Sequence, residues 1–203
     1  VNWVEPRASS TAEMIYRLYK TLRKPFDRQC ALLLYTGIMT DTGSFRYSNT
    51  TSVTHAAACE LLRYGIRPHI IYGHTYENIP ATQLDTLRKI MATMRQDSTG
   101  RLIWLKIKRS FFKPSVPFFD FSEHVLTLAR AVKGVEVALL FKEQAQAKEG
   151  IRVSFRSQGK VDVNSIARSF GGGGHPSASG CVMPGTINGV SRLVIARVLK
   201  EIK

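Results

Sequence analysis

The sequence predicts an α/β chain in two parts, and three observations predict it. Apolar residues at helical spacing alternate along the chain with short segments of strand-like pattern, the signature of layered α/β architecture. Glycine-containing clusters close many of these segments. The charge balance shifts near residue 100: residues 1–99 carry 12 Lys and Arg against 8 Asp and Glu, and residues 100–203 carry 17 against 7. A boundary in or just after a helix at 81–96, with QDSTG as the junction, gives parts 1–80 and 101–203 joined by a helical linker at 81–100.

In chain order, ASSTAEMIYRLYKTL opens with Ser10 and, three residues on, Glu13, a capping box. Met14, Leu18 and Leu22 continue at helical spacing. CALLLYTGIMTDTG is a dense apolar run ending in Asp and Gly, and reads as a buried strand. TSVTHAAACELLRYGI reads as a helix stopped by Gly65, and NIPATQLDTLRKIMATMRQDSTG as another that ends at Ser98-Thr99-Gly100. RLIWLKIKRS alternates, with Ile103, Leu105 and Ile107 on one side, and is a strand. PSVPFFDF, with two prolines, is a loop. SEHVLTLARAVKG is a capped helix closed by Gly134, VEVALLFKEQ and IRVSFRSQG are strands, and VDVNSIARSFG is a short helix pairing Ile166 with Phe170. CVMPG returns as a strand, and GVSRLVIARVLKEIK is a terminal helix.

At 203 residues and 44% hydrophobic, the chain buries a real core. Its net charge of +14, concentrated after residue 100, attracts polyanions, nucleic acid foremost. Cys30, Cys59 and Cys181 are odd in number and far apart, which excludes a disulfide scaffold and a structural zinc site and reads as reduced cytosolic thiols. No apolar run approaches the ~20 residues of a membrane helix, and no secretory signal is seen.

SFGGGGHPSASG raises the most pointed question. Gly171 is a natural helix cap after Phe170, and Gly172, Gly173 and Gly174 leave the main chain bare for close approach of a ligand. Pro176 suits the first turn of a new short helix built from Ser177, Ala178, Ser179 and Gly180. Amides from Gly174 onward, with His175 at the rim, would then form a nest for a phosphate or carboxylate. A flexible surface loop is the other reading. In TGIMTDTGSFRYSNT, Asp41 directly follows the expected strand, where α/β sheets bind ligands. There it is either a ligand for a divalent metal or the cap of an Asp turn, and one carboxylate alone makes no metal site.

These two stretches resemble motifs of the DHH phosphoesterase family. TGIMTDTGSFRYSNT is similar to the family's fourth motif, and IRVSFRSQGKVDVNSIARSFGGGGHPSASG to the signature of its DHH-associated C-terminal domain, in the family's order and at about its separation. Within the family the likeness is to the small bacterial nanoRNase type. The resemblance implies the remainder of an N-terminal parallel-sheet DHH domain plus a smaller C-terminal α/β domain. It implies a cytoplasmic, manganese-dependent enzyme that hydrolyses very short oligoribonucleotides and 3′-phosphoadenosine 5′-phosphate. By the same resemblance Asp41 ligates a two-manganese centre, and His175, Arg156, Ser157 and Gly172 to Gly174 hold substrate phosphate. Arg46 and Asn49 either line the cleft or are turn and surface residues, and a homodimer is an assembly the family allows. SASG replaces the family's usual AAG, a nearly isosteric change.

The family's first three motifs, including Asp-His-His, do not occur in these residues, and VNWVEPRASSTAEMIY is similar to the segment that follows them. The expectation is that about one domain of chain, roughly 100 residues, precedes Val1 and carries the remaining ligands. His55, His69, His74 and His124 have no ligand spacing and read as ordinary residues. Two further readings stand beside the first. One is a linear or cyclic dinucleotide phosphodiesterase, or a single-strand exonuclease, of the same family. The other is a basic nucleotide- or RNA-binding module without catalysis.

Overall fold

The computed structural model describes residues 2–144 and 150–202, so Val1 and Lys203, the ends of the two predicted parts, lie outside the described residues. The chain divides into two compact units, Val1–Asn78 and Ile79–Lys203. Together they make the expected mixed α/β chain, with every strand of the described residues in the second unit.

The first unit comprises α1 (Thr11–Thr21), α2 (Arg28–Asp41), α3 (Ser52–Leu62) and α4 (Pro68–Tyr76). Ser10 caps α1 by accepting the Glu13 amide at 3.0 Å. The return bond of the capping box is shifted by one residue: the Glu13 carboxylate takes the Ser9 amide at 3.2 Å and the Ser9 hydroxyl at 2.5 Å. The run from Cys30 to Asp41 is a helix, not the predicted strand. Asp27 caps it through the Cys30 amide at 2.6 Å, and Ala31, Leu34, Tyr35, Ile38 and Met39 bury one face. Leu33, on the other side, is 65% exposed. A segment apolar on both faces carries no readable period, and its 14-residue length is what excludes a strand. Phe26 sits at the centre of this unit, with ring centroids of Tyr16 and Tyr19 at 5.6 and 5.0 Å. Gly65 ends the α3 turn at φ 72°, as expected.

The second unit is a sheet of six strands: β1 (Arg95–Gln96), β2 (Leu102–Ile107), β3 (Val137–Glu143), β4 (Ile151–Ser157), β5 (Gly173–His175) and β6 (Ala178–Met183). Their order is β1-β2-β3-β4-β6-β5, and only β2 and β3 run parallel. Period-two alternation in the strands feeds two cores. Leu102, Leu139, Val153 and Phe155 meet α7 (Val163–Arg168) and α8 (Ile187–Leu199) on one face. Ile103, Leu105, Ile107 and Leu140 meet α5 (Leu84–Met91) and α6 (Ser122–Arg130) on the other.

Two expectations are corrected here. The helix read through to Gly100 stops at Met91: Thr93 receives the Lys106 amide at 2.8 Å, and Arg95–Gln96 join the sheet edge. The segment 81–100 is therefore packed into the second unit, with Ile90 fully buried in its core. No helix begins at Pro176. The chain folds back as a β5–β6 hairpin, His175 paired with Ala178 across a turn of Pro176 and Ser177. Pro176 O accepts the Val163 amide at 2.9 Å and Ser177 O the Ser157 amide at 2.8 Å, which fastens the hairpin tip on both sides. No helix of the described residues is long and apolar enough to cross a membrane.

Candidate functional site

In the first unit, Asp41 is the last residue of α2, where a helix presents bare carbonyls and partial negative charge. No donor or cation among the described residues meets its exposed carboxylate, and partial desolvation pushes its pKa above the ordinary aspartate value. The chain beyond it is held in an uncommon shape. Gly43, Ser44 and Phe45 have φ of 55°, 60° and 63°, a left-handed turn that costs about 1–2 kcal/mol at each non-glycine. Buried Thr42 braces it, donating to Ile38 O at 2.7 Å and accepting the Phe45 amide at 3.1 Å. A Cβ at Gly43 would lie 2.2 Å from the Tyr47 ring, so only glycine fits.

Arg46 turns its Nε back to Gly43 O at 2.7 Å and leaves an exposed side chain. Asn49 is spent on the backbone: its amide donates to Ser9 O at 2.9 Å and Asp41 O at 3.1 Å, tying the end of α2 to the chain before α1. In this structure that amide positions the helix end that bears Asp41. Its Oδ1, Ser44 Oγ and Thr50 Oγ1 are buried without a partner. These orphaned polar atoms lie on the same short segment of chain as the unpaired carboxylate. A divalent cation would relieve the helix-end repulsion at Asp41, so the carboxylate fits a metal ligand. It is one ligand only, because no group of three His, Cys, Asp or Glu among the described residues could hold an ion. His55 instead stacks on Phe45 at 5.2 Å, and His124 lies 5.3 Å from Phe119.

In the second unit, strand register assembles the other predicted residues. Arg156 pairs with Ala178, and Ala178 with His175, so the three stand in one cross-strand row on one face. Two strand spacings separate Arg156 from His175, about 10 Å between Cα atoms, with only an alanine methyl between them. The next row is Ser154, Gly180 and Gly173, also small. His175 is exposed, and its Nδ1 faces the Ser177 hydroxyl at 3.0 Å and the Ser177 amide at 3.4 Å. An amide can only donate, so in the neutral ring Nδ1 accepts and Nε2 keeps the proton, ready to donate outward. The Arg156 guanidinium bonds Phe155 O at 3.1 Å and pairs with Glu123 in the first turn of α6.

The other predicted residues do different work. Ser157 follows Arg156 and so points to the opposite face: it is 1% exposed, and its hydroxyl accepts the Gly159 amide at 3.0 Å. In this structure the Ser157 hydroxyl holds the turn at Gly159. The glycines divide similarly. A Cβ at Gly172 would sit 2.2 Å from Gly180 O, and one at Gly174, with φ 147°, 2.6 Å from Ala178 O. Both serve the close approach of chain to chain. Only Gly173 has an open side, where the sole neighbour within reach of an added Cβ is Asn164 Oδ1 at 3.9 Å. The expected amide nest gives way to a ladder with a bare glycine face. Sequence reasoning missed Glu123, Arg152 and Ser154. The alternation of IRVSFRS carries Arg152 and Ser154 to the Arg156 face and could have found them.

Residues 122–203 match the DHHA1 domain. The chain is 34% identical over 184 residues to a Bacillus subtilis protein named bifunctional oligoribonuclease and PAP phosphatase NrnA, covering 88% of this chain and 56% of that one. A Thermus thermophilus protein of the same name is 30% identical over 182 residues, covering 90% and 53%. A solved structure, an exopolyphosphatase-related protein from Bacteroides fragilis, superposes with a TM-score of 0.80 at 27% identity, covering 97% of this chain and 58% of that one. The chain thus spans about half the length of these two named relatives.

Proposed function

We propose, starting from a chain that belongs to the DHH/nanoRNase family, that the protein is a phosphoesterase. Its substrates are short oligoribonucleotides and 3′-phosphoadenosine 5′-phosphate, and its cofactor is manganese. The observation that carries this reading is the row Arg156–Ala178–His175, a guanidinium and an imidazole set across a small, open surface. Arg156 offers a planar fork to two phosphate oxygens. Glu123 holds that fork in place until a more highly charged phosphate takes over. His175 donates from Nε2 to a further oxygen, and Gly173 lets the ester approach the strand.

In the first unit Asp41 would hold the metal as one ligand of a larger set, and Asn49 and Thr42 fix the helix end that bears it. When bound, divalent ions supply Lewis-acid polarisation of the phosphoryl group and a nucleophilic water at neutral pH. A grip on the terminal phosphate reads a chain end, which a short oligomer presents close to every one of its esters.

The test is hydrolysis by the intact protein of ribo-oligomers from two to about ten nucleotides, and of 3′-phosphoadenosine 5′-phosphate, with manganese. A steep fall in kcat/KM with length is expected, with Arg156→Ala and His175→Ala each losing about 10²-fold. Length-independent cleavage would favour a single-strand exonuclease. Full activity in both variants would sink the reading.

A further inference from the structure

We infer that the loop before α6 is a stacking site for a nucleobase of the bound oligonucleotide. This rests on the phosphate grip proposed for Arg156 and His175 and extends it from the phosphate to the base. The chain from Phe112 to Phe118 frames an open groove of about 580 Å³. Phe118 at its rim is 65% exposed, a large apolar ring that the fold leaves mostly open to solvent. Its centroid is 5.1 Å from that of Phe112, which leans on fully buried Phe121 at 6.5 Å, so the platform is anchored in the core.

Lys113 lines the groove, and Lys142 stands at its Phe118 end. Lys142 Nζ lies 5.3 Å over the Phe118 ring and 2.8 Å from Asp120 Oδ2. Lys142 pairs with exposed Arg152 on β4, and Arg152 with Val182 on β6, so all three share the sheet face that bears Arg156 and His175. Four residues of strand separate Arg152 from Arg156, about 13 Å at ~3.4 Å per residue. That is the length of a few stacked nucleotides at ~3.4 Å per step. Two links tie the start of α6 to this track: Asp120 to Lys142 and Glu123 to Arg156. An aromatic face flanked by cations, on a chain of net charge +14, is complementary to a flat base carried on a phosphate backbone. Stacking tolerates any base, so the site confers grip without sequence preference.

The test is calorimetric binding of 5′-phosphorylated diadenylate to the chain, against the same dinucleotide with both bases removed. Phe118→Ala is expected to weaken diadenylate binding about 5- to 100-fold and leave the abasic compound unchanged. Phe118→Trp is expected to retain wild-type affinity. Because Phe118 is exposed, both variants should melt as the wild type does. Arg156→Ala should weaken both compounds. If Phe118→Ala binds diadenylate like the wild type while Arg156→Ala weakens both, the stacking site falls and the phosphate grip stands. If neither variant changes binding, or the chain binds neither compound, both readings fall. Equal loss of the two compounds in Phe118→Ala overturns the stacking role as well.

Discussion

Under the proposed function, the Asp41 segment and the Arg156–His175 face would meet the same demand, holding side chains ready for a charged ligand, by opposite means. The first is a strained left-handed turn at a helix end, with an unpaired carboxylate and orphaned polar atoms. The second is built on regular antiparallel strands whose polar groups are largely satisfied and whose tip is fastened by two backbone bonds. The difference teaches where each stores its specificity. In that reading the Asp41 carboxylate waits in an unfavourable state that a bound cation would relieve. A phosphate grip needs only spacing, which a sheet supplies from its register.

The sharpest break in the comparison is Asp41→Asn. Metal-dependent turnover of the intact protein should fall by at least about 10²-fold. Stability of the chain should hold or rise by about 0.3–1 kcal/mol, because a charge unfavourable to the helix end is gone. Urea melts beside activity assays test both, and wild-type turnover would remove Asp41 from the site. Next, the glycines should part company. Gly43→Ala should cost about 2–4 kcal/mol from the Tyr47 clash and the left-handed backbone. Gly173→Ala should cost under about 1 kcal/mol, since its added methyl meets open space. Equal losses would mean that the two loops share one kind of constraint.

Arg156→Lys keeps the charge and loses the fork, and should lower kcat/KM about 10-fold. An unchanged value would show that spacing on the sheet matters less than charge.

The smallest expected effect is on pH. Each unit leans on a buried glutamate. Burial alone would raise the Glu13 pKa, but hydrogen bonds from Ser9, Thr54 and Arg17 outweigh it and hold the carboxyl below its ordinary 4.5. Glu136 is held low chiefly by Arg101 and then Lys160. A depressed carboxyl stabilises the fold above its unfolded value and loses that contribution as pH falls through the folded one. Thermal melts should therefore weaken in acid below 4.5. Glu13→Gln and Glu136→Gln should each flatten that slope, in the first and second unit respectively.

Much of the second unit was legible because its strands alternate. IRVSFRS buries every second side chain as β4, and RLIWLKI does so as β2 from Ile103 onward. The same rule, applied to Arg156 and Ser157, would have put them on opposite faces at once. The Cys30–Asp41 run misled because it is apolar all round, and a pattern without contrast has no period. The glycine stretch misled for a related reason: four residues without side chains offer no pattern at all. Pro176 is as compatible with a hairpin turn as with a first helical turn.

The sequence by itself determined the alternation of elements, the excess of positive charge after residue 100, and the residue types for gripping phosphate, because these follow from local periodicity and composition. Only the tertiary structure decided that Asp41 ends a helix, and that Arg156 and His175 share one row. Whether a run apolar on both faces coils or extends depends on what packs against it. Which residues face each other across strands depends on a register that hydrogen bonds between distant segments set.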